Sequence, residues 1–245
     1  MDRRSSACAV VLLLTFILSG SNAHAPPNDT TSSSPMVSST AEVVSVEVNE
    51  AQQRVDDAVL VVRRTKADPR VSALIQDAKG LLVVPHFFKA ALLFGGQKGA
   101  GLMLVQRNGR WSDPVFYRST SGSLGVQIGG AKGALVMILT SDKAVEAFVT
   151  KTSTWSLNAG AGLTASSYSK DTPQSGTRSD VVVWSDTKGL FGGAAVGATR
   201  LARDERANQA YYNRTDVTPE QILSGLVANP NSNRLREVLP LRASK

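Results

Sequence analysis

"LLFGGQKGAGLMLVQRNGRWSDPVFY" (residues 92–117) sets five glycines and Lys98 among apolar residues. Such a stretch is either a phosphate cradle, which would make the protein an α/β nucleotide enzyme, or a pair of glycine-punctuated strands. A P-loop needs its lysine directly after a glycine and a hydroxyl residue next, for magnesium. Here Lys98 follows Gln97 and precedes Gly99. A dinucleotide fingerprint needs G-x-G-x-x-G between a strand and a helix. After Gly99-Ala100-Gly101 the third glycine's place holds Leu104, and the residues around it are strand-forming. The glycines are therefore read as bulges, tight turns and places where backbones pack closely. Asn108-Gly109 before Arg110-Trp111 is a two-residue hairpin signal. Neither a nucleotide nor another cofactor is expected.

Outward from this stretch, strand signals continue in both directions. Residues 81–85 (LLVVP), 101–107, 123–130, 134–140, 155–163, 180–186 and 189–202 are rich in β-branched or large apolar residues, with 169–180 as an exposed loop. Helices sit mainly at the ends. Val44, Val48, Ala51, Val55, Ala58 and Val62 recur at spacings of three and four, which predicts an amphipathic helix over 42–66 whose apolar stripe packs on the sheet. Asp68-Pro69 caps a second helix that stops near Gly80, with Val71, Leu74, Ile75 and Ala78 inward. Residues 141–151 form a short helix opened by Ser141, and Thr218-Pro219-Glu220-Gln221 is a capping box for a helix through Leu226. Strands without regular helical crossovers pair antiparallel, so the expected class is α+β: a mainly antiparallel, barrel-like sheet with N-terminal helices and a short C-terminal one. "FGGQKGAG" (94–101) has an echo in "FGGAAVGA" (191–198), where no lysine repeats.

The beginning of the chain reads as an export signal over 1–23: Arg3 and Arg4, then the apolar run Ala9–Leu18, then a small-x-small site ending at Ala23. The run is well short of the roughly 20 residues that span a bilayer. Leu18-Ser19-Gly20 fits a lipoprotein signal, but Ser21 stands where the acylated cysteine would be, and Cys8 precedes the run. A free periplasmic or secreted protein is expected. Residues 24–41, rich in Pro, Ser and Thr, read as a tether, and 42–245 as one domain. The net charge is +7, and for an exported protein anionic lipid is a more available partner than nucleic acid.

Catalytic chemistry finds little support. Beyond the signal the chain has no cysteine, and its histidines are His24 and His86; the latter reads as a half-buried structural residue at a strand end. There is no zinc-helix motif, calcium loop or G-x-S-x-G elbow. Trp111, Trp155 and Trp184 read as core or rim, and Tyr211-Tyr212 as packing residues. The expected class is a non-enzyme without a bound metal.

"AKGLLVVPHFFKAALLFGGQKGAGLMLVQRNGRWSDPVFY", "GSLGVQIGGAKGALVMILTSDKAVEAF" and "WSDTKGLFGGAAVGA", in this order, resemble the SYLF lipid-binding domain over about residues 50–225. The resemblance implies binding of anionic phospholipids, phosphoinositides in eukaryotic members, through basic residues and an N-terminal amphipathic helix. The cations in or beside the matching motifs are Lys79, Lys89, Lys98, Arg107, Arg110, Lys132 and Lys188, which are the expected headgroup contacts. The alternative is a structural or assembly protein of the periplasm that docks on an unidentified protein partner.

Overall fold

The computed structural model describes residues 36–90, 95–123, 131–150, 155–156, 163–168, 179–186 and 200–241. The expected signal peptide, Lys188 and most of the 169–180 loop lie outside them. So do the second Phe-Gly-Gly copy and the segment 124–130.

Helix α1 spans Met36–Lys66 and so begins six residues before the expected Glu42. Its second half carries the predicted stripe: Ala51, Val55, Ala58 and Val62 are wholly buried. The first half does not. Val44 and Val48, assigned to the same stripe, are 48% and 37% exposed, because the helix runs on past the body it packs against. Helix α2, Pro69–Asp77, is capped as its sequence predicts, with the Asp68 carboxylate accepting from the Arg70 N–H. It stops at Asp77, three residues before the expected Gly80, because Gly80 is needed for the first strand.

Nine strands follow: β1 Gly80–Ala90, β2 Gly95–Arg107, β3 Arg110–Trp111, β4 Val115–Ser123, β5 Ala131–Leu139, β6 Trp155–Ser156, β7 Ala165–Tyr168, β8 Val181–Ser185 and β9 Arg200–Arg203. They form one sheet in the order β6-β9-β4-β2-β1-β5-β8-β7, with β3 paired to the end of β2. Every pairing is antiparallel except β7–β8. The α+β class is as the sequence implies. The barrel is not: the described strands run as an open path that does not return on itself. The opening stretch is the β2–β3–β4 meander, whose turn holds Asn108 and Gly109 at φ 50° and 72°, the left-handed pair a two-residue hairpin requires.

Helix α3, Asp142–Thr150, follows β5, with the Ser141 hydroxyl accepting from the Ala144 N–H. Three short helices close the chain: α4 Glu205–Tyr212, α5 Pro219–Leu223 with its capping box intact, and α6 Asn233–Val238. Successive residues of β4 show how the layers are arranged. Phe116 meets Arg54 of α1 and the Tyr211 ring of α4, whereas the neighbouring Tyr117 donates its hydroxyl to Phe148 O of α3. Side chains alternate along a strand, so α1 and α4 cover one face and α3 the other. With both faces covered, β1 is buried at every position from Leu81 to Val84.

Candidate functional site

The headgroup residues expected from sequence fall into two groups at opposite ends of the sheet. At one end, Lys79 precedes β1, and its carbonyl accepts from the Gln106 N–H, which places it beside Arg107. Arg107 and Arg110 are register partners across the β2–β3 hairpin. At the other end, Lys98 and Lys132 lie in the same register row, on either side of Phe88. Lys89 occupies the adjacent row, opposite Gln97 and Ala131. Lys79's neighbour Gly80 and Lys89 are nine positions apart on β1, roughly 30 Å of extended chain. The six of these cations that fall among the described residues therefore do not form one headgroup site; the seventh, Lys188, lies outside them.

The Lys79 end is a basic rim built around the last described stretch of chain. Trp111 Nε1 donates to Pro240 O at 2.9 Å, Lys66 Nζ to Val238 O at 2.5 Å, and Gln76 Nε2 to Leu241 O at 3.2 Å. The stretch 238–241 is thus a strap fastened to α1, α2 and the β2–β3 hairpin. Leu239 is buried beneath it and Leu241 is 59% exposed on top. Lys79 Nζ lies 3.7 Å from the exposed carboxylate of Asp142. Arg70 is engaged elsewhere: it pairs with Asp68 at 3.6 Å and stacks over the Tyr168 ring at 5.6 Å. Burial opposes ionisation of Asp68, but the Tyr168 hydroxyl and the Arg70 N–H outweigh it and hold the carboxyl below its usual range. Arg107 and Arg110 are exposed, and neither has an ion-pair partner among the described residues. Like charges directly opposite in a ladder destabilise it, so the fold gains nothing from this pair.

A second feature lies under α1. Pro85 and His86 form a bulge in the middle of β1, with the register shifting against both β2 and β5. A proline cannot donate to a ladder, and a bulge is where a central strand tolerates one. The bulge leaves the Ala134 N–H to donate to Asp186 Oδ1 at 2.7 Å, while Arg64 donates to Oδ2 of the same carboxylate at 2.5 Å. His86 Nε2 lies 3.0 Å from Asp57 Oδ2, and its side chain is 74% exposed. The expectation of a half-buried histidine at a strand end is corrected on both counts, because the bulge turns His86 outward. These residues, with Leu60 and Val61, line a cleft of about 340 Å³ whose charges pair with one another.

The buried aromatic residues among those described are structural. Trp111, Trp184, Tyr211 and Tyr212 are buried, and the Tyr212 hydroxyl donates to Pro114 O at 2.7 Å. Burial pushes the Tyr117 phenol up to about 12, too high for a proton donor or acceptor near neutrality. No group of three or more potential metal ligands occurs among the described residues, and no described helix is long and apolar enough to cross a membrane. Sequence reasoning missed the strap, because its role depends on backbone carbonyls that any residue would offer.

The family described as Ysc84, Las17-binding protein actin regulator, matches residues 120–241. The chain is 31% identical over 164 residues to an SH3 domain-containing protein of Schizosaccharomyces pombe, which aligns 64% of this chain with 37% of that protein. It is 30% identical over 177 residues to protein YSC84 of Saccharomyces cerevisiae, aligning 69% of this chain with 37% of the relative. It is also 28% identical over 173 residues to the SH3 domain-containing YSC84-like protein 1 of Xenopus laevis, aligning 68% of this chain with 50% of the relative. The chain thus spans at most half the length of these relatives. No solved structure matches it.

Proposed function

Because this chain belongs to the Ysc84 (SYLF) family, we propose that it is a non-enzymatic binding module that docks on anionic phospholipid at the surface of a cell-envelope membrane. The observation that carries this reading is the pair Arg107 and Arg110, exposed, opposed across a hairpin and without carboxylate partners among the described residues. A phosphate-bearing surface would relieve their repulsion. Lys79 beside them and the exposed Leu241 add a third cation and an apolar contact. Each cation near an anionic surface contributes about 1 kcal/mol, so docking requires several acting together. The family's description speaks of actin regulation and Las17 binding rather than of catalysis, in keeping with a binding role.

Sedimentation with vesicles tests it. The protein should bind phosphatidylserine-containing vesicles at low salt, release them as salt rises, and leave neutral vesicles alone. Arg107→Ala with Arg110→Ala should weaken binding by about 2 kcal/mol, roughly thirtyfold. If Lys89→Ala, Lys98→Ala and Lys132→Ala together abolish binding while the arginine pair does not matter, the site is at the far end of the sheet.

A second reading, docking on a protein partner, is favoured by the exposed first half of α1. Its Glu42, Glu47 and Glu50 have no lysine or arginine among residues 36–53 to offset them, and an anionic bilayer would repel it.

A further inference from the structure

The first half of α1 and the basic rim are complementary surfaces on one molecule, and we propose that they join a second copy of this chain head to tail. The acidic surface is the helical segment 42–50. Val43, Val44, Val46 and Val48 are 56%, 48%, 49% and 37% exposed, interleaved with Glu42, Glu47 and Glu50. Glu47 reaches only the exposed Arg206, at 4.0 Å. Valine is a poor helix former, so four exposed valines in a helix are stabilised by neither propensity nor packing. A surface of this kind is completed by an apolar, positively charged partner. The other end of the same helix lies beside such a surface: Lys66 is bonded to the strap, around which stand Arg107 and Arg110, without ion-pair partners among the described residues, and the exposed Leu241.

Residues 44 and 66 are 22 positions apart on one helix, roughly 33 Å. The two surfaces therefore cannot meet within one chain. A contact between different surfaces of identical copies is heterologous, and it extends into open chains unless a rotation closes it. The inference shares Arg107 and Arg110 with the lipid reading but does not rest on it, and it is tested without lipid.

The test is sedimentation velocity of the full chain over a hundredfold concentration range. The expected result is a mean mass that climbs with concentration at about 20 mM salt and falls back to one chain at about 300 mM, where screening is strong. The charge-reversed variant E42K/E47K/E50K should remain a monomer, as should R107E/R110E. An equimolar mixture of the two should associate again, because each offers the surface the other now fits. Circular dichroism checks that both variants keep the wild-type fold, which substitutions at exposed and, for Glu47, half-buried surface positions should. Wild type that stays monomeric at low salt, or a mixture that fails to associate, overturns the proposal. A dimer insensitive to both reversals overturns it equally.

Discussion

Gly101 explains at the scale of one residue why the opening stretch is rich in glycine. A Cβ built there would lie 2.6 Å from Val83 O and 2.8 Å from Val84 Cγ2, at the point where the Pro85–His86 bulge brings β1 against β2. The nearer atom is backbone, so the sheet itself would have to move. Gly101→Ala should therefore cost about 1–3 kcal/mol, measured as a loss of melting temperature. Gly109→Val should be destabilising for another reason: space is open there, but φ is +72°. His86 is part of the same bulge with its side chain in solvent, where an exposed ion pair is worth under about 1 kcal/mol. His86→Asn should leave both melting temperature and vesicle binding nearly unchanged. Stoichiometric metal that is bound by wild type and lost in this variant would refute the structural assignment.

At the scale of elements, two junctions behave differently. The parallel pair β7–β8 is tied to α3 by one carboxylate. Asp180 accepts from the Thr164 N–H at 2.9 Å, the Ser141 hydroxyl at 2.7 Å and the Thr164 hydroxyl at 3.0 Å. The Thr164 N–H first, then the Ser141 hydroxyl, hold its carboxyl below the usual range. A depressed carboxylate stabilises the fold above its unfolded value, and that contribution is lost as pH falls through the folded one. Asp180→Asn should cost about 1–3 kcal/mol at pH 7 and make the acid-side decline of melting temperature shallower. Helix α1 shows the opposite case. One face of it is buried from Ala51 onward, whereas Val43, Val44, Val46 and Val48 are exposed. Deleting residues 36–46 should leave the melting temperature nearly unchanged, whereas Val55→Ala should lower it by about 1–3 kcal/mol.

At the scale of the molecule, the strap closes the fold by returning the end of the described chain to α1, α2 and the β2–β3 hairpin. Truncation after Glu237 removes three acceptor carbonyls and the buried Leu239. It should cost about 2–4 kcal/mol and shift Trp111 fluorescence to the red as the indole meets water. Export belongs to this scale as well. We propose cleavage near Ala23 without acylation, so intact mass of envelope material should give an unmodified chain beginning near His24. Ser21→Cys should convert it into a lipoprotein, and acyl mass on the wild type would refute the idea.

Local chemistry alone fixed the caps of α2, α3 and α5, the Asn108-Gly109 hairpin, the antiparallel α+β class and the exclusion of a phosphate loop. The caps, the hairpin and the failed phosphate-loop match rest on neighbours within a few residues. The class rests on the order of strand and helix signals along the chain, and sequence displays both directly. It also carried the family resemblance. Tertiary structure decided the rest. Periodicity marked Val44 and Val48 as core, because a stripe records which face is apolar but not where the body beneath it ends. The seven expected headgroup cations looked like one set in sequence, yet strand register places the six described ones at two ends of the sheet. The strap could not be read at all, since it is held by carbonyls of Val238, Pro240 and Leu241, and a carbonyl is the same in every residue. What decides such features is distance between residues remote in the chain, and only the folded backbone sets it.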